Sequence, residues 1–347
     1  APGAVSGPLS QPQPGVLVLL VDALRWDYLD RTRVMARLGR EGIRGRLQEP
    51  FGFTPRTAYF RGRDVEDGGY THMFEWRPDT SPFGAARHLT EAAAIDAGLE
   101  AHIRSVVTEY GRSRVTAFAS RYLTTASIPL QALPYFDVAE VRADWEAPYE
   151  PDSLFAHLSA AGIRPVVHAW PDTNGRSDRS VVAAAINDID ASRRFAFVHL
   201  SGLDAAGHAF GPGAVETQQV LDEIDQLTED LVDHCRRHWG HTRVVLFGDH
   251  GMVPVVQVVD VMAAIASTGL RYAFDVGYFV DSTCVRFWYF TRHAQARIAP
   301  APDELQRLRQ ELDFAQLLNR RNLEQAGPDS VLEARINSYE LAYRLQT

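Results

Sequence analysis

The stretch Arg243-Val-Val-Leu-Phe-Gly-Asp-His-Gly-Met252 contains a short apolar run that is followed at once by a carboxylate and an imidazole. Val244 to Phe247 have the length and composition of a buried β-strand. Gly248 ends the run, and Asp249 and His250 stand side by side after it. Because open α/β sheets bind ligands at the carboxyl ends of their strands, this pattern predicts a metal-binding or catalytic corner.

Two other apolar runs end in the same way. Residues 16–21 are followed by Asp22, and residues 195–200 are followed by Asp204 and His208. In a parallel sheet the three strand ends share one edge, so we expect the three Asp residues to converge. Ionised carboxylates in one cleft raise each other's pKa unless a cation lies among them. The pattern therefore predicts one or two divalent metals; the alternative is three unrelated Asp residues that cap helices.

The composition is that of an ordinary globular protein. The chain has 347 residues, of which 46% are hydrophobic and 23% charged, and its net charge of -9 gives no reason to expect nucleic-acid binding. All 35 basic residues are Arg, so a Schiff-base or P-loop lysine is excluded. The two cysteines form no metal-binding or disulfide pattern. Because no apolar run is long enough to span a bilayer, we expect no membrane partner. No signal peptide is visible, which favours a cytoplasmic protein, or a secreted one if a signal peptide was removed.

Strand-like and helix-like runs alternate along the chain. This alternation predicts an α/β fold, a three-layer α/β/α arrangement with a mostly parallel central sheet. The clearest helix covers residues 215–238, where apolar residues recur at helical spacing. We expect a disordered leader over residues 1–14 and a single catalytic domain over 15–347, with a possible cap or insertion around 63–150. Less regular stretches predict a helix over 22–39, short strands over 42–48 and 115–119, and a loop over 62–82.

A candidate nucleophile precedes a predicted helix. Thr54 is followed by Pro55, the combination of an N-cap hydroxyl and a proline at the first helical position. The simple interpretation is a helix cap. The other is a hydroxyl placed at a helix N-terminus, where free N–H groups and the helix dipole favour an anion.

Four segments together resemble a known family: VLLVDALRWDYL, EPFGFTPRTAYFRGR, HLSGLDAAGHAFGP and VVLFGDHGM, within residues 16–252. The sequence resembles the alkaline phosphatase superfamily, in its type I phosphodiesterase/nucleotide pyrophosphatase branch. Each segment is modestly specific alone, but the four occur in the expected order. The resemblance implies an alkaline phosphatase-like fold and a site with two metals, usually Zn²⁺.

The resemblance also implies roles for individual residues. One metal is expected to be held by Asp22, Thr54, Asp249 and His250, and the other by Asp204 and His208. Thr54 is the implied nucleophile, which forms a phospho-threonine intermediate, and Thr57 is the second choice. Arg56 and Arg61 are candidates for binding phosphate, although a surface role is an equal alternative for each.

The sequence departs from the family at the second metal. The family takes a third ligand there from a His near the C-terminus, usually followed by Gly. After His250 this chain contains one His, His293, and the residue directly after it is Ala294 and not glycine. His293 is therefore a doubtful ligand, and the second Zn²⁺ site is in doubt with it, because catalytic zinc normally keeps three protein ligands.

The expected function is that of a metal-dependent hydrolase of phosphate esters, a phosphodiesterase or nucleotide pyrophosphatase acting on a small-molecule phosphate ester or nucleotide-like substrate. One alternative is a phosphomonoesterase that acts on a small biosynthetic intermediate. Another is a degenerate, non-catalytic member that binds metal or serves as a scaffold; the missing C-terminal His favours it. Other histidines receive ordinary interpretations; His199, inside a predicted strand, is expected to be a hydrogen-bonded core residue.

Overall fold

The computed structural model describes residues 14–47, 56–62, 73–93, 99–126, 128–255, 260–280 and 285–298. The chain divides into two compact units. The first contains the described residues of Ala1–Pro50, Ala58–Gly62 and Asp144–Pro254, and the second contains the others. Among the described residues, no helix has both the length and the apolar character needed to cross a membrane.

The first unit consists of a parallel sheet and the helices that cover it. Its elements in chain order are β1 (Gly15–Val21), a 3-10 helix (Trp26–Arg31), α1 (Val34–Glu41), α2 (Arg56–Arg61), α6 (Leu154–Ala160), β4 (Val166–His168), α7 (Asp178–Asp188), β5 (Phe195–Leu200), α8 (Gly202–Phe210), α9 (Val215–Trp239) and β6 (Thr242–Phe247).

The central sheet has the strand order β4-β5-β1-β6 and all three of its pairings are parallel. Val21 at the end of β1 pairs with Leu200 at the end of β5, and Leu20 pairs with Phe247 at the end of β6. Asp22 N–H continues the ladder by donating to Leu200 O at 2.9 Å. The carboxyl ends of the three neighbouring strands therefore lie level, as the sequence predicted.

Helices cover both faces of this sheet. On one face Leu17 and Leu19 of β1 pack against buried apolar residues of α7 and α9, such as Val182 and Leu227. Alternate residues of β1 belong to a second apolar cluster, in which Phe155 is contributed by α6. Because successive side chains of a strand point to opposite faces, this division shows a sheet between two helical layers. The predicted three-layer α/β/α class with a parallel sheet is confirmed.

The second unit contains two pairs of antiparallel strands and a set of helices. Its elements are β2 (Phe74–Trp76), a 3-10 helix (Gly84–Ala86), α3 (Arg87–Ala93), α4 (Glu100–Arg112), α5 (Ala117–Tyr122), a 3-10 helix (Leu130–Tyr135), β3 (Phe136–Val138), α10 (Val261–Ser267), β7 (Val276–Val280), β8 (Val285–Tyr289) and α11 (Arg292–Ile298). β2 pairs with β3, and β7 pairs with β8.

Several local predictions were wrong. Residues 42–47 form no strand and are exposed; Arg44 and Arg46 in this segment stack over the Trp26 ring instead. The strand predicted over 115–119 is the start of α5, where the Thr116 hydroxyl accepts a hydrogen bond from Ala119 N at 3.2 Å. The loop predicted over 62–82 contains β2. The helix predicted over 22–39 is two helices, the 3-10 helix Trp26–Arg31 and α1, which begins at Val34.

Candidate metal centre at the edge of the central sheet

Asp22, Asp249 and His250 form a tight group beyond the ends of β1 and β6. One ligand atom from each of the three lies within 4.8 Å of the others. Nε2 of His250 is 3.3 Å from Oδ1 of Asp22 and 3.9 Å from Oδ2 of Asp249. The group combines two carboxylates with one imidazole at adjacent strand ends, and these are three of the four residues that the resemblance implies for the first metal.

A second imidazole contacts Asp22 from within the sheet. His199 lies in β5, and its Nε2 is 3.0 Å from Oδ2 of Asp22. Its side chain is buried, and its Nδ1 has no hydrogen-bond partner among the described residues. The expectation of a hydrogen-bonded core histidine is correct, and the residue that it bonds is a predicted metal ligand.

The electrostatics of the group show competing effects. Burial raises the pKa of Asp249 and of Asp204, and the charge of Asp22 raises both further. Burial acts in the same direction on Asp22, but hydrogen bonds from His199 and His250 outweigh it and lower the pKa of Asp22. For His250, burial opposes the charged form, yet the hydrogen bond to Asp22 and the charge of Asp249 raise its pKa to about 10. The carboxylates therefore form a site that favours a positive charge.

The backbone after β1 holds Asp249 in place. Ala23 has a φ of 58°, a left-handed conformation that costs a non-glycine residue about 1–2 kcal/mol. In this conformation Ala23 N–H donates to Oδ1 of Asp249 at 3.2 Å, and His250 N–H donates to the same oxygen at 2.9 Å. One oxygen of Asp249 is thereby occupied by backbone donors, and Oδ2 is the one nearer His250.

Gly248 allows the two loops to approach each other. A Cβ at this position would lie 2.6 Å from the carbonyl oxygen of Leu24 and 2.8 Å from its Cβ. A hydrogen bond also links the same two loops: Nη1 of Arg25 donates to Met252 O at 2.9 Å. The residues after β1 and β6 are thus in direct contact, which brings Asp22 beside Asp249.

Asp204 and His208 lie on α8, in its first and last turns. Nε2 of His208 is 3.4 Å from Oδ1 of Asp204, and that oxygen is buried without a hydrogen-bond partner among the described residues. Asp204 is close enough to Asp22 for the two charges to interact, although it is outside the tight group. The three predicted Asp residues therefore gather at one edge of the sheet.

Other predicted residues have different outcomes. Thr54 and Pro55 lie outside the described residues; so does the side chain of Arg56, although its backbone begins α2. Arg61 is at the end of α2, where its Nη2 is 3.4 Å from Oδ1 of the buried Asp144. His293 belongs to α11 in the second unit, where its charge acts on Asp275.

The residues present fit a divalent ion on grounds of geometry and chemistry. The tight group offers carboxylate oxygens and an imidazole nitrogen, the ligand types that zinc and similar ions take in proteins. The buried Oδ1 of Asp204 makes no hydrogen bond among the described residues and lies 3.4 Å from Nε2 of His208, so a cation at this oxygen would compensate for its burial.

The fold and the site together define an α/β protein with acidic and imidazole groups at the carboxyl edge of a parallel sheet. A comparison with known families is more specific. The model of the type I phosphodiesterase/nucleotide pyrophosphatase family matches residues 84–337, and the chain belongs to that family. The resemblance stated from the four sequence segments is confirmed.

Individual relatives are distant. A Schizosaccharomyces pombe protein described as an uncharacterized pyrophosphatase/phosphodiesterase is 22% identical over 154 residues, which cover 37% of this chain and 32% of that protein. The match thus spans about a third of that relative's length. Structures of murine ectonucleotide pyrophosphatase/phosphodiesterase 5, one of them an inactive variant in complex with AMP, are 14% identical. The aligned regions cover 83% of this chain and 70% of the murine chains, with a TM-score of 0.45.

Proposed function

We propose that this chain is a metal-dependent hydrolase that acts on phosphodiester or nucleotide pyrophosphate bonds. The observation that carries the proposal is the group of Asp22, Asp249 and His250, whose ligand atoms lie within 4.8 Å at the sheet edge of a member of this family. These three residues, together with Thr54, would hold one ion, and Asp204 and His208 would hold a second. The choice of Zn²⁺ rests on the family resemblance and on the mixture of oxygen and nitrogen ligands.

A divalent ion at this site supplies positive charge for the phosphoryl oxygens and the leaving oxygen. The protein residues around it have separate tasks. His199 helps to keep Asp22 ionised, since its hydrogen bond lowers the pKa of Asp22, and it leaves His250 free to bind the ion. Ala23 N–H and His250 N–H hold Asp249 in one orientation. The chain therefore holds the Asp22 and Asp249 carboxylates in fixed orientations before substrate arrives.

Thr54 is the proposed nucleophile. Its Oγ–H gives its proton to solvent as Oγ forms a bond to phosphorus, while the bond from phosphorus to the leaving oxygen breaks and the leaving oxygen takes a proton from solvent. Water then attacks phosphorus of the phospho-threonine and loses a proton, the bond from Oγ to phosphorus breaks, and Oγ takes a proton; a diester substrate thereby releases an alcohol and then a phosphate monoester, with Thr54 restored. Arg56 and Arg61 are proposed to contact the substrate phosphate. The pairing of Arg61 with Asp144 is compatible with a structural role for Arg61 instead.

The proposed substrate is a nucleotide-like phosphodiester. Support comes from the family, whose description includes nucleotide pyrophosphatases. Bis(p-nitrophenyl) phosphate and p-nitrophenyl phosphate compare a diester with a monoester that releases the same product. Faster turnover of the diester supports the proposal. Faster turnover of the monoester supports a phosphomonoesterase, and inertness toward both, with no metal bound, supports a non-catalytic member.

Two variants separate chemistry from metal binding. Thr54→Ala removes the nucleophilic hydroxyl, which is also one of the four implied ligands of the first ion. Turnover is expected to fall to background, while most of the zinc, measured by mass spectrometry, is kept by Asp22, Asp249 and His250. Asp249→Asn removes a charged ligand, so both the zinc content and the rate are expected to fall. Full activity of Thr54→Ala would exclude Thr54 as the nucleophile without affecting the metal assignment.

A further inference from the structure

Asp178 connects the start of one helix to the start of another. It is the first residue of α7, whose N-terminus is already capped by Ser177, since the Ser177 side chain accepts a hydrogen bond from Ser180 N. The Asp178 carboxylate is 9% exposed and points away from its own cap toward α8. Because Ser177 already caps α7, the burial of the Asp178 carboxylate must be explained by its contacts outside this helix.

The carboxylate binds the N-terminal backbone of α8. Oδ1 of Asp178 accepts from Ser201 N at 3.0 Å, and Oδ2 accepts from Gly202 N at 3.0 Å. Ser201 is the N-cap residue of α8, and its own side chain makes no cap hydrogen bond. Asp178 therefore provides from a distant part of the chain the cap that α8 lacks locally.

The fit between the two groups is close. A Cβ on Gly202 would lie 2.4 Å from Oδ2 of Asp178, so only glycine leaves room for the carboxylate at this point. Burial raises the pKa of Asp178, while the N–H groups of Gly202 and Ser201 lower it. These N–H groups are thus the main compensation that the buried carboxylate receives among the described residues.

The helix that Asp178 caps is the one that carries Asp204 and His208. Asp204 is two residues after Gly202, in the first turn, and His208 faces it one turn later. A shift of the first turn of α8 would move Asp204 relative to Asp22, which lies on the neighbouring strand end. Displacements of such supporting groups typically reduce metal affinity by about 10–100-fold.

We propose that Asp178 is a positioning residue for the second metal site: its carboxylate fixes the N-terminus of α8 and thereby the placement of Asp204 and His208 opposite Asp22. This inference rests on the proposed function, because it assumes that Asp204 and His208 bind an ion. It assigns to Asp178 a role in metal binding without any contact between Asp178 and the ion.

The chain contains a matched control. Asp225 is a carboxylate of α9 that is 6% exposed and caps α1 in the same manner, accepting from Val34 N at 2.9 Å and Met35 N at 2.9 Å. The N-cap residue of α1, Arg33, also makes no side-chain cap bond. Because α1 carries none of the proposed ligands, loss of this cap tests the structural effect alone.

The experiment uses the full chain after removal of metal by a chelator. Four proteins are compared: the wild type, Asp178→Ala, Asp178→Asn and Asp225→Ala. Zn²⁺ is titrated into each in competition with a chromophoric chelator. The kcat and KM of each are then measured at limiting and at excess Zn²⁺. We expect Asp178→Ala to weaken the second zinc equivalent at least about tenfold. We also expect a lower kcat that excess Zn²⁺ partly restores. Asp178→Asn, which keeps one acceptor oxygen, should lose less.

Asp225→Ala should lower the urea midpoint about as much as Asp178→Ala but leave both zinc affinities within twofold of the wild type.

Equal zinc affinities in Asp178→Ala and Asp225→Ala would overturn the inference. If Asp178→Ala does not fold, wild-type zinc affinity in Asp178→Asn overturns it instead. If Asp249→Asn lowers zinc binding while both Asp178 variants keep it, the proposed function stands and only the role of Asp178 fails. A wild-type chain that binds no zinc overturns both.

Discussion

Nε2 of His199 lies 3.0 Å from Oδ2 of Asp22, while the other oxygen of Asp22 faces His250. His199 is part of β5, which pairs with β1 along its whole length, so its imidazole is held by the sheet. The hydrogen bond therefore fixes the rotation of the carboxylate and decides which of its oxygens faces His250. Groups that orient a metal ligand in this way are as much a part of the site as the ligand.

His199→Ala should weaken zinc binding at the Asp22 position by about 10–100-fold, because the Asp22 carboxylate becomes free to rotate. The measurement is a zinc titration of the chelator-treated protein. His168→Ala is the matched control, since His168 is also a strand histidine and its Nε2 is 3.0 Å from Oδ2 of Asp188, outside the site. Equal zinc affinities of the two variants would contradict the orienting role.

Gly248→Ala should destabilise the protein by about 1–3 kcal/mol, because the new Cβ would overlap the backbone of Leu24. The displaced loop should also lower zinc affinity. Urea unfolding and zinc titration measure the two effects. Gly213→Ala is the control for a new methyl group, since a Cβ there meets no atom within 4 Å. An unchanged urea midpoint in Gly248→Ala would show that the loops can separate without cost.

Ala23→Gly should raise stability slightly, by up to about 1.5 kcal/mol. Glycine relieves the left-handed conformation at φ 58°, worth about 1–2 kcal/mol, but loses about 0.5–1 kcal/mol through greater freedom of the unfolded chain. The hydrogen bond from residue 23 to Asp249 uses the backbone and should persist. Urea midpoints test the gain, and a loss of stability would mean that the Ala23 methyl group contributes packing that outweighs the strain.

Stability should fall as the pH rises above about 9, in part because of Cys235. Burial raises the pKa of the Cys235 thiol from 9.0 to about 12, so the folded chain keeps a proton that the unfolded chain loses. Ionisation of this thiol therefore lowers the free energy of unfolding by about 1.4 kcal/mol between pH 7.5 and pH 10. In Cys235→Ala the difference between the urea-derived stabilities at these two pH values should shrink by about this amount. The same difference in both proteins would show that the thiol does not contribute.

The strands that carry the site could be predicted from the sequence because each is a continuous apolar run. The residues of β5 are all buried, and such a run has few structural alternatives when an acidic residue follows it. The convergence of Asp22, Asp204 and Asp249 followed from one assumption, a parallel sheet. Short elements such as β2 could not be predicted, because three residues give too little periodicity and the pairing with β3 is supplied by a distant segment.

The supporting residues of the site could not be predicted either. Asp178 has the local pattern of an ordinary acidic residue in the first turn of a helix, and its partners Ser201 and Gly202 lie 23 and 24 residues further along the chain. The contact of His199 with Asp22 joins residues that are 177 apart. Such pairs become neighbours only through the strand order, which the sequence pattern does not specify.

The central position of β1 has a consequence for synthesis on the ribosome. β1 is made first, yet both of its neighbours in the sheet, β5 and β6, are encoded much later. At about 5–20 residues per second, the 177 residues that separate Asp22 from His199 take roughly 10 to 35 seconds to appear. During that interval a nascent chain exposes an apolar strand with two unpaired edges, which is the kind of segment that chaperones bind.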